Sequence, residues 1–522
     1  SVTQLDFRGT VRYDNTWNNT HIFNALAGME ANRADYDARH DEEYGIDYNN
    51  SRLQSLPYEF YKQAKEEGLE RVQYAKSWNR RLAYFAFMSY SYMGRYTASV
   101  TGRYDGSNQL GRSTSSRWLP TWNISGAWNA HEEEWFQKWA QANKNWLSHG
   151  TLRLSYSLVG EQTTASNALA VFRSGIMWRP QGDQQEQYIY LSQLANSDLT
   201  YEKKKEFNLG LDYAFLNDRI SGSIDYYVRT TDDLIWNYKV SVPPYVSSNI
   251  EANAGSIRNS GLEVSVNAVP VQTKDFTWNT NVNFSTNKSK LVSLSNDKYL
   301  SGNYIDGLVF NAITHRLEVG KPLGNFYGWK SVGIDEKGGW LIEGADGKVK
   351  SFADAQATDR QVIGNALPKY YLNFNNSFRY KWFDMSVTMR GAFSFQVYNL
   401  VKKDMGVPGA LGSGNVLASA FDPKMDNRNL AYDQPDGFVS YYVEDADFWK
   451  IDNITLGYTP NLSGVKWIKK LRLYASVSNL ATFTGYSGID PEINISGLTP
   501  GVDNIYQYPT PRTYTLGINL SF

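Results

Sequence analysis

Two patterns and one absence in the 522-residue sequence predict an all-β protein, a transmembrane antiparallel β-barrel to which this chain contributes about 14–16 strands. The patterns are a two-residue alternation of apolar and polar side chains along most of the chain, and an exchange of short turns with long polar connections. The absence is of any apolar run near the roughly 18 residues that a membrane-spanning helix needs. Mean hydropathy is −0.50, so the chain is either soluble or a membrane barrel, and a helical membrane protein is excluded.

The alternation is clear from Phe207, Leu209, Leu211, Tyr213 and Phe215 on one face against Asn208, Gly210, Asp212 and Ala214 on the other. It recurs in Leu152, Leu154, Tyr156 and Leu158 against Arg153, Ser155 and Ser157, and in Leu262, Val264 and Val266 against Glu263, Ser265 and Asn267. Trp278, Val282 and Phe284 oppose Asn279, Asn281 and Asn283, and Phe383, Met385, Val387 and Met389 oppose Asp384, Ser386, Thr388 and Arg390. Each segment is read as roughly nine to eleven residues, the length of a tilted strand crossing a bilayer. The chain opens directly on such a strand, SVTQLDFRGTVRYDN, which reads as a start within something larger.

Soluble sandwiches also alternate, and the connections separate the two cases. Short turns are read at 216–219, 270–275, 380–381 and 461–470, and long loops at 160–200, 230–259, 287–366, 394–447 and 482–510. That exchange is the topology of an outer-membrane barrel, with short turns periplasmic and long loops extracellular. The last strand, TYTLGINLSF, puts Tyr514, Leu516, Ile518, Leu520 and the terminal Phe522 on one face, and Phe522 is taken as a barrel-insertion signal. Two stretches break the pattern with helical spacing: residues 50–81, read as a helical turn within a long loop, and 135–146, read as a helix on the short-turn side.

Composition narrows the function. Sixteen Trp, 37 Tyr and 24 Phe make up 15% of the chain, and strand-end aromatics are read as interfacial girdles. Fifty-two basic and 53 acidic residues leave a net charge of −1, so no basic field recruits nucleic acid. The absence of cysteine excludes a disulfide scaffold, thiol catalysis and Cys-ligated zinc.

No catalytic constellation emerges, and the chain is read as a non-enzyme with no cofactor. His21, His40, His131, His149 and His315 lack metal-site spacing, and no nucleophile elbow or phosphate-binding loop occurs. The acidic pairs Asp232–Asp233 and Glu444-Asp445-x-Asp447 are read as solvated loop surface, and residues 335–359 lack a complete calcium-loop spacing, so no metal is assigned. Trp236, Tyr238, Tyr245, Tyr441 and Tyr442 lie in long loops, where they either pack or offer stacking platforms. Arg103, Arg153, Asp225, Glu263, Arg390 and Arg472 are placed on the lumen side.

Several stretches resemble the SusC/RagA family of TonB-dependent outer-membrane transporters of Bacteroidetes. They are GRYDGSNQLG at 102–111, TLRLSYSLVGEQ at 151–162, NAGSIRNSGLEVSVN at 253–267, VGKPLGNFYGW at 319–329 and VIGNALPKYYLNFNNSFRY at 362–380. FWKIDNITLGY at 448–458 and LRLYASVSNLATFTGYSGIDPE at 471–492 complete the series, in family order. The resemblance implies that residues 1–522 are the C-terminal part of a 22-stranded barrel, without its plug, TonB box and first strands. It further implies a companion N-terminal plug-bearing part, a SusD-like surface lipoprotein as lid, the TonB–ExbB–ExbD complex as energy source, and the lipid bilayer as surroundings. The implied function is active import of a large nutrient, an oligosaccharide or a peptide. Arg103, Asp105, Trp236 and Tyr238, at extracellular strand ends and loops, are the candidate substrate-binding residues. A soluble all-β glycan-binding protein and a passive porin-like barrel are the competing readings.

Overall fold

The structure is a computed structural model that describes residues 1–41, 46–47, 52–53, 56–67, 72–108, 117–161, 170–178, 185–196, 199–239, 249–253, 255–294, 304–310, 313–408, 414–421, 438–462, 464, 467–503 and 508–522. Fifteen strands follow one another through a single antiparallel sheet. They are β1 (Val2–Trp17), β2 (His21–Asp41), β3 (Val72–Tyr92), β4 (Tyr96–Ser107), β5 (Trp118–Asn129), β6 (Leu147–Glu161), β7 (Glu202–Phe215) and β8 (Ile220–Asp232). The order continues with β9 (Ser256–Gln272), β10 (Phe276–Thr286), β11 (Tyr370–Tyr380), β12 (Phe383–Phe393), β13 (Phe448–Tyr458), β14 (Lys470–Thr484) and β15 (Thr513–Ser521). A short strand, Lys288–Ser293, adds to the upper part of β9. Each strand pairs with the next in sequence, the meander of an up-and-down wall. Among the described residues β1 pairs only with β2, and β15 only with β14, so the sheet has two free edges.

The strands run from 9 to 21 residues, longer than the sequence reading allowed. The excess lies mainly in β2 and β3, whose pairing continues for 21 residues from His21↔Tyr92 to Asp41↔Val72. A bilayer sets only a minimum length, and this ribbon stays in register beyond it. Of the two helical readings, residues 58–66 form helix α1 (Tyr58–Glu66), while the rest of the 50–81 stretch is corrected from Val72 onward to strand β3. Helix α2 (Glu134–Ala142) fills the β5–β6 connection at the short-turn end, burying Phe136 and Ala140.

Register sorts the two faces. Leu154, Leu209 and Tyr226 lie in one row across β6–β8, and all three are exposed, as are Leu211 and Ile224. The adjacent row carries Arg153, Gly210 and Asp225. Exposed aromatics collect near the short turns, among them Trp17, Tyr96, Trp128, Trp146, Tyr380 and Trp382, as an interfacial girdle requires. A wall one strand thick has no interior, and the packed cores lie in the loops at the other end.

Candidate functional site

The polar face holds its charges in cross-strand groups. Arg103 on β4 donates through Nε to both Asp105 oxygens, at 2.8 and 2.9 Å, and its Nη1 lies 2.9 Å from Glu30 of β2. Its guanidinium also lies over the ring of Phe85, the residue opposite it in register. Two candidate residues are thus joined in one ion-paired group, completed by Glu30, which the sequence reading did not single out. Farther along, Arg153 forks onto Asp212 at 2.7 and 2.8 Å and reaches Asp225 at 3.1 Å. Between the charged groups the wall is amide-lined: Asn281 donates to Asn267 at 2.8 Å and Asn283 to Asn281 at 2.6 Å.

Trp236 sits on a two-stranded ribbon, Ile235–Lys239 paired with Asn249–Asn253, and lies opposite Ala252. The ribbon is rooted on the sheet because its neighbour Ile235 packs on the buried cluster of Leu119, Leu199 and Tyr201. Leu119 is the register partner of Asp105, so Arg103, Asp105 and Trp236 belong to the same end of the wall. Tyr238 pairs with Ile250 through its backbone; its side chain, like Tyr245, lies outside the described residues. At the opposite end, Phe522 stacks on Trp467 with ring centroids 6.5 Å apart.

A second charge group fixes the last long loop to the wall. Lys450 of β13, itself buried, donates to Asp490 at 2.8 and 3.0 Å and to Glu492 at 3.0 Å. Arg390 of β12 grips both Glu492 oxygens and the Asp452 carboxylate. These bonds, Arg390's first and Lys450's next, hold the Glu492 carboxyl at about 2 despite its burial. Of this group the sequence reading placed only Arg390. The signal for the others was present in FWKIDNITLGY and GIDPE, which carry Lys450, Asp452, Asp490 and Glu492.

The loops after β10, β12 and β14 share one core. Phe326, Trp340, Tyr398, Phe438, Tyr442 and Val502 are buried together, drawn from all three loops. Tyr442, with 3% of its surface exposed, packs edge-on against Trp340 and Tyr441, so of its two readings, packing or platform, it is packing that holds. In the acidic run at 444–447 Asp445 and Asp447 are exposed, and only Glu444 is corrected from solvated surface to a half-buried, bonded position. Glu444 takes the Ser487 hydroxyl and N–H at 2.9 and 3.0 Å and Lys402 at 3.0 Å, which together outweigh burial and lower its pKa. Asp447 accepts the Ser394 N–H at 2.6 Å. Asp232 and Asp233 pair with Lys205 and Lys203, each at 2.9 Å. His315, 1% exposed, meets the Pro500 carbonyl at 3.0 Å, and burial pushes its pKa down to about 4. In the 335–359 stretch, Asp335 caps a turn through the N–H groups of Lys337 and Gly339, and Asp359 holds Lys350 at 3.0 Å. No group of three His, Asp or Glu among the described residues is placed to hold a metal ion.

The wall, its polar face and its loop core agree with the match found over residues 2–400, to the family described as TonB dependent receptor-like, beta-barrel. The chain belongs to that family. Its barrels lie in the outer membrane, which overturns the soluble alternative. This receptor-like chain is 31% identical to TonB-dependent receptor P3 of Formosa agariphila over 84% of its own length and 45% of that protein's. It is 30% identical to TonB-dependent receptor SusC of Bacteroides thetaiotaomicron over 87% of its length and 45% of the relative's. It superposes along its whole length on 56% of a chain of the RagAB peptide transporter, with a TM-score of 0.81 and 22% identity. The TonB-dependent receptor chain described here therefore spans about half the length of these relatives, and the SusC/RagA-like likeness agrees with the resemblance in its motifs.

Proposed function

We propose that this chain is the C-terminal barrel portion of an outer-membrane importer that takes up a large nutrient, an oligosaccharide or a peptide, with energy from TonB. The observation that carries the reading is the division of labour within one family wall. One face is lipid-compatible, the other is lined by paired charges and amides, and three long loops pack as a single body at one mouth. A polar lumen offers hydrogen bonds along a passage, and a rigid mouth offers a docking surface for a lid. The names of the relatives support this reading: one is the TonB-dependent receptor SusC, and another is a chain of the RagAB peptide transporter. A SusD-like surface lipoprotein, an N-terminal plug-bearing part and the TonB–ExbB–ExbD complex are the partners in this proposal, and Arg103, Asp105, Trp236 and Tyr238 its substrate contacts.

The test is growth of an in-frame deletion strain on panels of oligosaccharides and peptides, with and without TonB, together with the masses of proteins co-purifying from detergent-extracted membranes. Loss of growth on one nutrient class in both the deletion and the TonB-deficient strain, with a lipoprotein in the complex, is the expected result. Growth that survives loss of TonB, with steady conductance in planar bilayers, would identify a passive pore instead.

A further inference from the structure

Helix α2 is seated on the lipid-facing side of the wall. Tyr96, Trp128, Leu152 and Leu211 form one register row across β4–β7, and all four are exposed, so the row belongs to the face that meets lipid. Gly150 lies on the same face of β6, two residues nearer the short turns. Having no side chain, it leaves room for Phe136 of α2: a methyl group on Gly150 would touch the Phe136 ring at 3.6 Å. Glu133, the residue before the helix, hangs from the same row. It accepts the Tyr96 hydroxyl at 2.5 Å and the Trp128 Nε1–H at 3.3 Å, and its other oxygen lies 3.4 Å from Arg95. The far end of the helix is fixed as well: the Asn145 N–H donates to the Ala140 carbonyl at 2.7 Å, and the Trp146 carbonyl accepts the Leu216 N–H at 3.0 Å.

Pinned at both ends, α2 presents flanks of different chemistry. Phe136 and Ala140, four residues apart, are its buried pair. Trp135 and Trp139 form the flank on one side of that pair and are 57% and 42% exposed. Gln137 and Gln141, both exposed, form the flank on the other side, while Glu134 and Lys138 point away from the buried pair. A third exposed indole stands at the same rim: Trp146 packs on Phe215, a residue of the lipid-facing side of β7, with ring centres 5.2 Å apart.

We propose that α2 is a membrane-surface helix, lying outside the wall at the headgroup level of the leaflet that meets the short turns, with Trp135 and Trp139 sunk into that leaflet. Continuity with the lipid-facing surface selects this occupant, because the seat of the helix, Gly150 and the Tyr96–Trp128 row, is part of that surface. The flanks set the depth. Indoles suit the boundary between headgroups and acyl chains, the glutamines suit water, and Glu134 and Lys138 on the outermost side keep the helix out of the hydrocarbon. A protein bound to the tryptophans would have to take the place of lipid beside the barrel. The inference requires only that the wall spans the outer membrane, and it is independent of what is imported.

The 522 residues contain no cysteine, so a single introduced one can carry a nitroxide label. Trp135→Cys, Trp139→Cys, Gln137→Cys and Gln141→Cys are made one at a time in the full-length protein, on a background free of other cysteines. Each is labelled and reconstituted into vesicles of phosphatidylethanolamine and phosphatidylglycerol, and heat-modifiable electrophoretic mobility verifies that it is folded. Electron paramagnetic resonance then compares collisions of the label with oxygen, which concentrates among acyl chains, and with a nickel chelate confined to water. The oxygen-to-nickel ratio is expected to be at least threefold higher at positions 135 and 139 than at 137 and 141, since each tryptophan variant keeps the other indole to hold the helix down. Equal ratios at all four positions would overturn the proposal by leaving the helix in water. Labels at 135 and 139 shielded from both reagents would overturn it as well, by assigning that flank to a protein surface.

Discussion

Gly210 stands between Arg153 on β6 and Asp225 on β8, and a methyl group there would lie 2.6 Å from Asp225 Oδ1 and 2.8 Å from Arg153 Cζ. The arginine crosses a whole strand to reach its second carboxylate, and it can do so only because the middle strand presents no side chain. Gly457 plays the same part between Asp384 and Arg472, where an added methyl would meet Arg472 Nη2 at 2.6 Å. Gly210→Ala should therefore push Arg153 off Asp225 and cost about 1–2 kcal/mol, in the range of overpacking, read as a lower temperature for the heat-modified shift in gel migration. His315 supplies a pH dependence with a definite sign. Burial depresses its pKa from 6.5 to about 4, so between those values the unfolded chain binds the proton and the folded loops do not. The stability of the loop core should be full above about pH 6.5 and fall as the pH drops toward 4, by at most about 3.5 kcal/mol at roughly 1.4 kcal/mol per pKa unit. Protease sensitivity of the loops across that range checks it, and His315→Gln should flatten the profile.

Among the elements, the last long loop depends on a few charges for its place. Lys450→Met would leave Asp490 buried without its cation, and removing one partner of a buried pair typically costs about 3–5 kcal/mol. Faster hydrogen exchange at residues 485–503, with β13 and β14 still protected, is the expected outcome. Tyr398→Ala should open a cavity in the shared loop core at a cost of about 3–5 kcal/mol, increasing proteolysis in all three loops together. The strands could be read from the sequence because each repeats a two-residue period over a bilayer's width, as Phe207 to Phe215 does. The loop core could not, because Phe326, Tyr398, Phe438 and Val502 come from three segments with no shared period, and their meeting is a tertiary event. Arg103 and Asp105, two apart on one strand, were legible as neighbours, but Glu30 was not, since only the pairing of β2 through β3 to β4 brings it there. Glu444 was misread for the same reason: its partners Ser487 and Lys402 are distant in sequence.

For the whole molecule, the two free edges govern behaviour. Unpaired backbone groups facing lipid each cost several kcal/mol, so the 522 residues expressed alone should aggregate and show no heat-modifiable form. Co-expression with the plug-bearing part proposed above should restore that form; a compact, heat-modifiable product from this chain by itself would contradict the expectation. The number of strands also carries a constraint. Every step from β1 to β15 is antiparallel, so fourteen reversals leave the two edge strands pointing the same way. They cannot seal against each other in an antiparallel barrel, however far the wall curls. Closure demands an odd number of further strands, which rules out a self-sealed cylinder and any complement built from whole hairpins alone.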